Sequence, residues 1–340
     1  MTRLSARGFL ALTGATLLAA FAAVLVLPHD PYIRYQSFKG GLFDRLDWIY
    51  ERIHFDDTPI DIALIGSSRT GRGVVPTLLE AELDRRGAGD LRVANFSMPA
   101  AGMDVRLVKA RELLETRDVR LMVISVVEAL PRDGHQAFGD LAPAGEVLTA
   151  PWLVNRRLPA SLARLPYRQM ELSLATLVPG AFGYRGAFDP ADYAGATVDT
   201  RVFNPDWTPE VEAAIQADPG HPEALAEESA MRKRQIRPPL LPDSLAWIEF
   251  GVSRHYIREI AALAEARGTR LVFLNLPFYQ GYDAPVDRAF LEGIAPLWIA
   301  ETLKDDPSHY NDAAHGSRKG AELITGWLAP KLIARLEDAP

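Results

Sequence analysis

The sequence predicts an α/β fold: a parallel sheet flanked by helices, a long and mostly helical insertion, and one N-terminal transmembrane helix. Three observations carry this reading. Short apolar runs alternate with stretches whose apolar residues recur at helical spacing, the grammar of βαβ units. The run from Leu121 to Val127 is apolar along its length but for Ser125, as in a strand covered by helices on both faces. The residues from Gly8 to Leu27 carry no charge at all.

Arg3 and Arg7 precede that uncharged run. As a helix it spans about 30 Å, the hydrocarbon thickness of a bilayer. Basic residues ahead of a span favour a cytoplasmic N-terminus, which places the remainder outside the inner membrane, in the periplasm. Ala20-Phe21-Ala22 resembles a signal-peptidase site, but apolar residues continue beyond it, so an uncleaved anchor is favoured over a cleaved signal. The expected organisation is an anchor over 1–28, a linker with a short helix over 29–58, and an α/β domain over 59–340.

Within that domain the first strand is Asp61 to Ile65, ended by Gly66. Pro76 opens a helix with Leu78, Leu79 and Leu83 on one face, stopped at Gly87. A second strand covers Leu91 to Phe96. Met103, Leu107, Ala110 and Leu114 then mark a helix by spacings of four, three and four. Leu121 to Val127 is the third strand. The pattern lapses over about 131–245, a proline- and glycine-rich stretch with amphipathic pieces such as Ala160 to Val178. A bare loop of that length is rare in a compact domain, so the stretch is expected to form a cap or substrate-facing subdomain. Alternation resumes with a helical stripe at Ile257, Ile260, Ala261 and Ala264 up to Gly268, a strand from Leu271 to Leu276, and a short strand near Leu297 to Ala300. A last helix begins about Ser317, with Ala321, Ile324 and Leu328 inward and Pro330 expected to kink or break it.

Composition removes several classes of function. A net charge of −7 disfavours a general nucleic-acid binder, and the basic runs at Arg156-Arg157 and Arg232 to Arg234 with Arg237 read as solvated surface, with contact to an anionic glycan or lipid as the alternative. With no cysteine, thiol nucleophiles, thiolate metal sites and disulfides are excluded. No cofactor or metal is expected.

Chemistry concentrates in two places. Ligands of open parallel sheets bind at the carboxyl ends of the strands. The first such turn reads Gly66-Ser67-Ser68-Arg69-Thr70-Gly71, with Ser68 beside the N–H groups of a following helix. A serine nucleophile needs a base. His309 and His315 fall in the loop before the last helix, at the same sheet edge, whereas His29, His54, His135, His221 and His255 lie elsewhere. A helical turn would bring Asp312 and His315, three apart, together as orienting acid and base. Other readings of the same residues remain: Ser68 as a helix cap, Asp312 as a turn cap beside a surface histidine, or a metal site built on His309, His315 and nearby aspartates, whose spacing fits no familiar pattern.

The GSS turn after the first strand, the Asn95-to-Gly102 turn after the second and the Asp312-x-x-His315 element before the last helix together resemble the SGNH/GDSL hydrolase superfamily. The likeness is greatest to its membrane-anchored envelope members, such as the teichoic-acid D-alanyl transfer protein and the alginate O-acetylation proteins. It covers about residues 58–130 and 245–335 and leaves the insertion unmatched. It implies a flavodoxin-like sheet, Ser68 as nucleophile, His315 as base, Asp312 as its orienting acid, and oxyanion donors from the backbone of Ser68 and Gly102. Two positions depart from the family pattern: Ser67 replaces an aspartate, and the asparagine expected after the third strand is missing, the chain reading Ser125-Val126-Val127-Glu128. Asn95 and Asn275, near strand ends, are the candidate substitutes. Glu128 is expected either to contact substrate or to pair with Arg69. The activity implied is an envelope O-acyl esterase or O-acetyltransferase acting on a cell-surface polysaccharide, with a membrane-bound acyltransferase as partner. A non-catalytic glycan-binding accessory protein and a membrane-surface lipase or thioesterase are the alternatives.

Overall fold

The computed structural model describes residues 5–100, 102–199, 201 and 207–338. The chain begins with α1 (Ala6–Leu25), whose N-terminus is capped by Ser5 Oγ accepting from Gly8 N–H at 3.1 Å. No residue of α1 is buried, and its mean hydropathy is 2.1. Among the described residues it is the one helix long and apolar enough to cross a membrane.

Residues 29–58, expected as a linker with a short helix, form two short helices that pack into the body. Asp30 caps α2 (Pro31–Gln36), and α3 (Leu46–His54) follows. Tyr32, Tyr35, Leu46, Trp48, Ile49 and Ile53 all lie in the main core. The polar residues among them are buried with partners. Tyr32 Oη and Arg185 both donate to Glu51, and Arg52 gives its guanidinium to the carbonyls of Thr58 at 2.9 Å and Pro59 at 2.8 Å. Such charges make the segment read as exposed while it is packed inside.

Five strands make one parallel sheet: β1 (Ile62–Ile65), β2 (Val93–Asn95), β3 (Leu121–Val126), β4 (Arg270–Asn275) and β5 (Leu297–Ile299), in the order β2-β1-β3-β4-β5. Leu64 aligns with Asn95 and Val123, and Asn275 with Val126 and Ile299. The strands expected from the apolar runs are all present. Every residue of β1, β2 and β3 is buried, which explains why their sequences do not alternate.

Between β1 and β2 run α4 (Ser68–Gly73) and α5 (Pro76–Arg85), and α6 (Met103–Thr116) leads to β3. The insertion supplies α7 (Phe138–Leu141), α8 (Ala144–Thr149), α9 (Leu158–Leu177), α10 (Pro209–Ala217) and α11 (His221–Gln235), and α12 (Ala246–Glu249) follows directly. After it come α13 (Gly251–Ala266), α14 (Arg288–Glu292), a hairpin of β6 (Tyr310–Asp312) and β7 (His315–Gly316), and α15 (Arg318–Glu337). One sheet face is covered by α6 and α13 with α3, the other by α5 and α15.

The insertion divides between two places: α7 and α9 pack beside α2 and α1 with α8 against α9, while α10 and α11 pack on the hairpin and the α15 side. Pro330, expected to kink or break the last helix, does not break it, and the helix continues to Glu337. A proline inside a helix costs about 3 kcal/mol. Burial of Leu328, Ala329, Leu332 and Leu336 along α15 offsets it.

From β1 the chain turns to β2 on one side and then crosses to β3 on the other. The carboxyl ends of β1 and β3 therefore flank the point where the connections diverge, which is where an open parallel sheet leaves a crevice.

Candidate active site

Gly66 follows β1 into the tightest corner of that crevice. A Cβ there would lie 2.6 Å from both Ser125 Oγ and Thr70 Oγ1, so only glycine fits. The corner is pinned from both sides: Gly66 C=O accepts from Met98 N–H at 3.0 Å, and Ser67 N–H donates to Ser125 Oγ at 3.2 Å. Ser67 is the extended N-cap residue of α4, and its side chain makes no cap bond. Ser68 is the first helical residue, so it is not a cap; its hydroxyl turns toward the hairpin.

Ser68 Oγ lies 2.7 Å from His315 Nε2, across 247 positions of sequence. His315 Nδ1 lies 2.8 Å from Asp312 Oδ2 and 3.0 Å from Oδ1. The three side chains expected from sequence therefore meet in one hydrogen-bonded line. The local device differs from the one expected. Asp312 and His315 do not share a helical turn but face each other across the two-residue hairpin between β6 and β7, as an aligned antiparallel pair. Asp312 Oδ1 also accepts the N–H groups of Ala314 at 2.8 Å and His315 at 3.0 Å, which fixes the carboxylate in the turn. With Nδ1–H donating to Asp312, Nε2 presents its lone pair to the Ser68 hydroxyl.

Burial works to raise the Asp312 carboxyl, but the hydrogen bonds from the His315 ring, its charge and the two backbone N–H groups outweigh it. The group sits below its ordinary value of 3.8. A depressed folded value means stability is complete above 3.8 and is lost as pH falls through the lower folded value. In urea titrations across that acid window, the Asp312→Asn variant is expected to lose stability less steeply than the wild type. Parallel slopes would contradict the coupling.

The insertion braces the hairpin. Gln216 Nε2 and His221 Nε2 reach the Tyr310 carbonyl at 2.6 and 2.9 Å, Glu228 accepts from Ala313 N–H at 2.9 Å, and Tyr310 Oη donates to the Pro277 carbonyl at 2.8 Å. Trp207 sets its ring edge-on to the His315 imidazole, with centroids 5.6 Å apart. The Arg72 guanidinium lies 3.5 Å from the Trp207 ring centroid. Sequence reasoning missed both residues. Arg72 had a signal, since it follows Ser68 by one helical turn; Trp207, from the insertion, had none. Trp207 also borders a cavity of about 960 Å³ with Glu212, Gln216, Arg318 and Lys319 among its lining.

The remaining predicted residues separate into structural and open roles. Asn95 is wholly buried and fully engaged: its Nδ2 donates to the carbonyls of Thr70 at 3.0 Å and Val74 at 2.7 Å, and its Oδ1 accepts from Ser97 N–H at 3.1 Å. It ties α4 to the turn after β2 and has no donor left for a substrate. Asn275 Nδ2 donates to the Val126 carbonyl at 3.1 Å, bridging the ends of β4 and β3. Glu128 and Arg69 pair with each other in a buried two-pronged ion pair, one contact of which is 3.0 Å, and Arg69 also reaches the Leu276 carbonyl at 3.3 Å. Of the two roles expected for Glu128, pairing is the one seen. His309 turns its Nδ1 to the Leu303 carbonyl at 3.1 Å.

Gly102 is the N-cap of α6, with extended backbone. A Cβ there would lie 2.5 Å from His135 Cβ and 2.7 Å from Asp104 Oδ1. Gly102→Ala is expected to cost about 1–3 kcal/mol through overpacking, read as a lowered urea midpoint; an unchanged midpoint would show that His135 gives way. Behind this turn three buried basic side chains hold backbone carbonyls at the sheet edge. Arg45 donates to Asn95 and Ser97, Lys109 to Phe96 at 2.7 Å, and Arg106 to Ser125. Burial, then the charges of Arg106 and Arg45, hold the Lys109 amine well below its usual range.

No protein-family model matches this chain, and no curated protein is significantly similar to it.

Proposed function

We propose that this protein is a serine O-acyl esterase or O-acyltransferase of SGNH type, anchored in the inner membrane by α1, with its α/β domain on the periplasmic side and a cell-surface glycan as substrate. The observation that carries the reading is the continuous line from Ser68 Oγ through His315 to Asp312, at 2.7 and 2.8 Å. Support also comes from the strand order β2-β1-β3-β4-β5, the order of flavodoxin-like sheets, with Ser68 at the point of divergence.

In this reading Ser68 Oγ attacks the ester carbonyl while His315 Nε2 takes its proton, and Asp312 stabilises the imidazolium. The tetrahedral oxyanion is met by the N–H groups of Ser68 and Gly102. Collapse expels the alcohol, which receives the proton from His315, and leaves Ser68 acylated. His315 then deprotonates water or a sugar hydroxyl, which attacks the acyl carbon; collapse breaks the bond from Ser68 Oγ to the acyl group, and His315 returns the proton to Oγ. The full chain, given an acetylated sugar with and without an unacetylated acceptor glycan, should release acetate or move acetyl to the acceptor. Absence of both products would sink the enzyme reading.

A second reading, a glycan-binding accessory protein working beside a membrane acyltransferase, is favoured by one observation. The position after β3 where the family carries an asparagine donor holds Glu128, and its carboxylate is committed to Arg69. Binding of the glycan without turnover would support this reading.

A further inference from the structure

Helix α9 is apolar on two faces, and only one of them is covered. Leu165, Leu172 and Ala175 are buried, the last two packing with Ile33 of α2. On the opposite side Tyr167, Met170, Leu174 and Leu177 follow one another at spacings of three, four and three, and Tyr167, Leu174 and Leu177 are 61%, 56% and 75% exposed. A helix bathed in water carries charge on such a face. The stripe itself carries none: Arg168, three residues after Leu165 and four before Leu172, lies on the covered face and donates to the carbonyls of Gly139 and Ala142. Trp152, 83% exposed, stands in the loop leading into α9, and Phe182 beyond its end is also exposed.

The location of this stripe indicates what covers it. Gln169 Nε2 donates to the carbonyl of Leu25, the last residue of α1, at 3.2 Å, and Thr176 Oγ1 accepts from Asp30 N–H at 2.9 Å. The two helices pack together, so α9 runs beside the chain as it leaves the uncovered, apolar α1. Met170 follows Gln169 directly, and Leu174 lies little more than one turn, about 5–6 Å of rise, further on.

We propose that the Tyr167–Leu177 face of α9, with Trp152 at its leading end, lies in the lipid headgroup and acyl-chain boundary of the bilayer that α1 spans. Tryptophan and tyrosine are the side chains most enriched at that depth, and a helix whose one face packs on the domain while the other exposes apolar side chains beside a span can bury that exposed face in the boundary. The inference rests on α1 being a membrane anchor and adds a second attachment that orients the domain. Through Arg168, α7 and His135, α9 is connected to the Gly102 turn, so the sheet edge bearing Ser68 is held at a set height over the membrane.

The chain has no cysteine, so single cysteines can be placed at will. Full-length protein carrying Leu174→Cys or Leu177→Cys is labelled with a fluorophore and reconstituted in phosphatidylcholine vesicles. Leu17→Cys in α1 and Asp84→Cys on α5, across the sheet, serve as references. The expected result is that labels at 174 and 177 are quenched several-fold more by nitroxide-bearing phosphatidylcholine than the label at 84, and several-fold less by aqueous iodide. Iodide access at 174 and 177 equal to that at 84, with the label at 17 in lipid, overturns the inference and leaves the anchor standing. Shielding from iodide without nitroxide quenching means that protein, a second copy or another chain, covers the stripe, and this also overturns it. A label at 17 in water removes the anchor and the inference together.

Discussion

Alanine at position 68 is expected to lower acyl-ester turnover by about 10⁶-fold, to the level left by binding and backbone donors alone. His315→Ala should cost about as much, and the double variant little more, because nucleophile and base act as one unit. Asp312→Asn should fall short of that, at about 10⁴-fold, since the imidazole remains but its tautomer is no longer set by a carboxylate. The structural basis is the single line of contacts from Ser68 to Asp312, in which each group has the next as its partner. Steady-state kinetics on a simple acetyl ester, with thermal melting to show an intact fold, decides the matter. Losses that multiply in the double variant would mean that Ser68 and His315 act independently.

The second large effect is on stability. Glu128→Ala is expected to destabilise the domain by about 3–5 kcal/mol, because it strands the Arg69 guanidinium between the Leu276 carbonyl and the Phe278 ring. For a domain of this size that lowers Tm on the order of 10 °C. Glu128→Leu combined with Arg69→Met should recover most of the loss, since replacing a buried pair with apolar residues of similar volume is close to neutral. Calorimetry of the single and double variants gives the answer. A double variant as unstable as Glu128→Ala would show that the pair contributes through its geometry beside Ser68 and not merely by mutual neutralisation.

The sheet was legible because its strands are covered on both faces. A run such as Leu121 to Val127 has no polar residue to disguise it beyond Ser125, and Ser125 is itself buried against Ser67. The triad was legible for a different reason: few histidines exist, and topology brings the loop before the last helix to the same edge as the first strand's turn. What escaped reading was burial of charge. Arg34, Glu51 and Arg52 make residues 29–58 look solvated, yet each is paired inside, and helices of six and nine residues are too short to reveal a period. Asn95 escaped for a related reason, the burial of a neutral polar group with its hydrogen bonds satisfied. An asparagine near a strand end reads equally as a donor to substrate or to the fold, and only the carbonyls of Thr70 and Val74 decide between them. The three-residue spacing of Asp312 and His315 fits a helical turn and a tight hairpin alike, and the hairpin is formed. Trp207 reaches His315 from a segment more than 100 positions away, a contact no local pattern encodes.

The proposed function requires that Asp312 and His315 make the Ser68 hydroxyl nucleophilic. Mass-spectrometric mapping after treatment with a fluorophosphonate ester tests it most directly, because the reagent bonds covalently only to an activated serine. One adduct is expected, on the peptide containing Ser68, formed by the wild-type chain and lost from His315→Ala while that variant's melting temperature is retained. An adduct on another serine, or one at Ser68 that forms equally fast without His315, would contradict it.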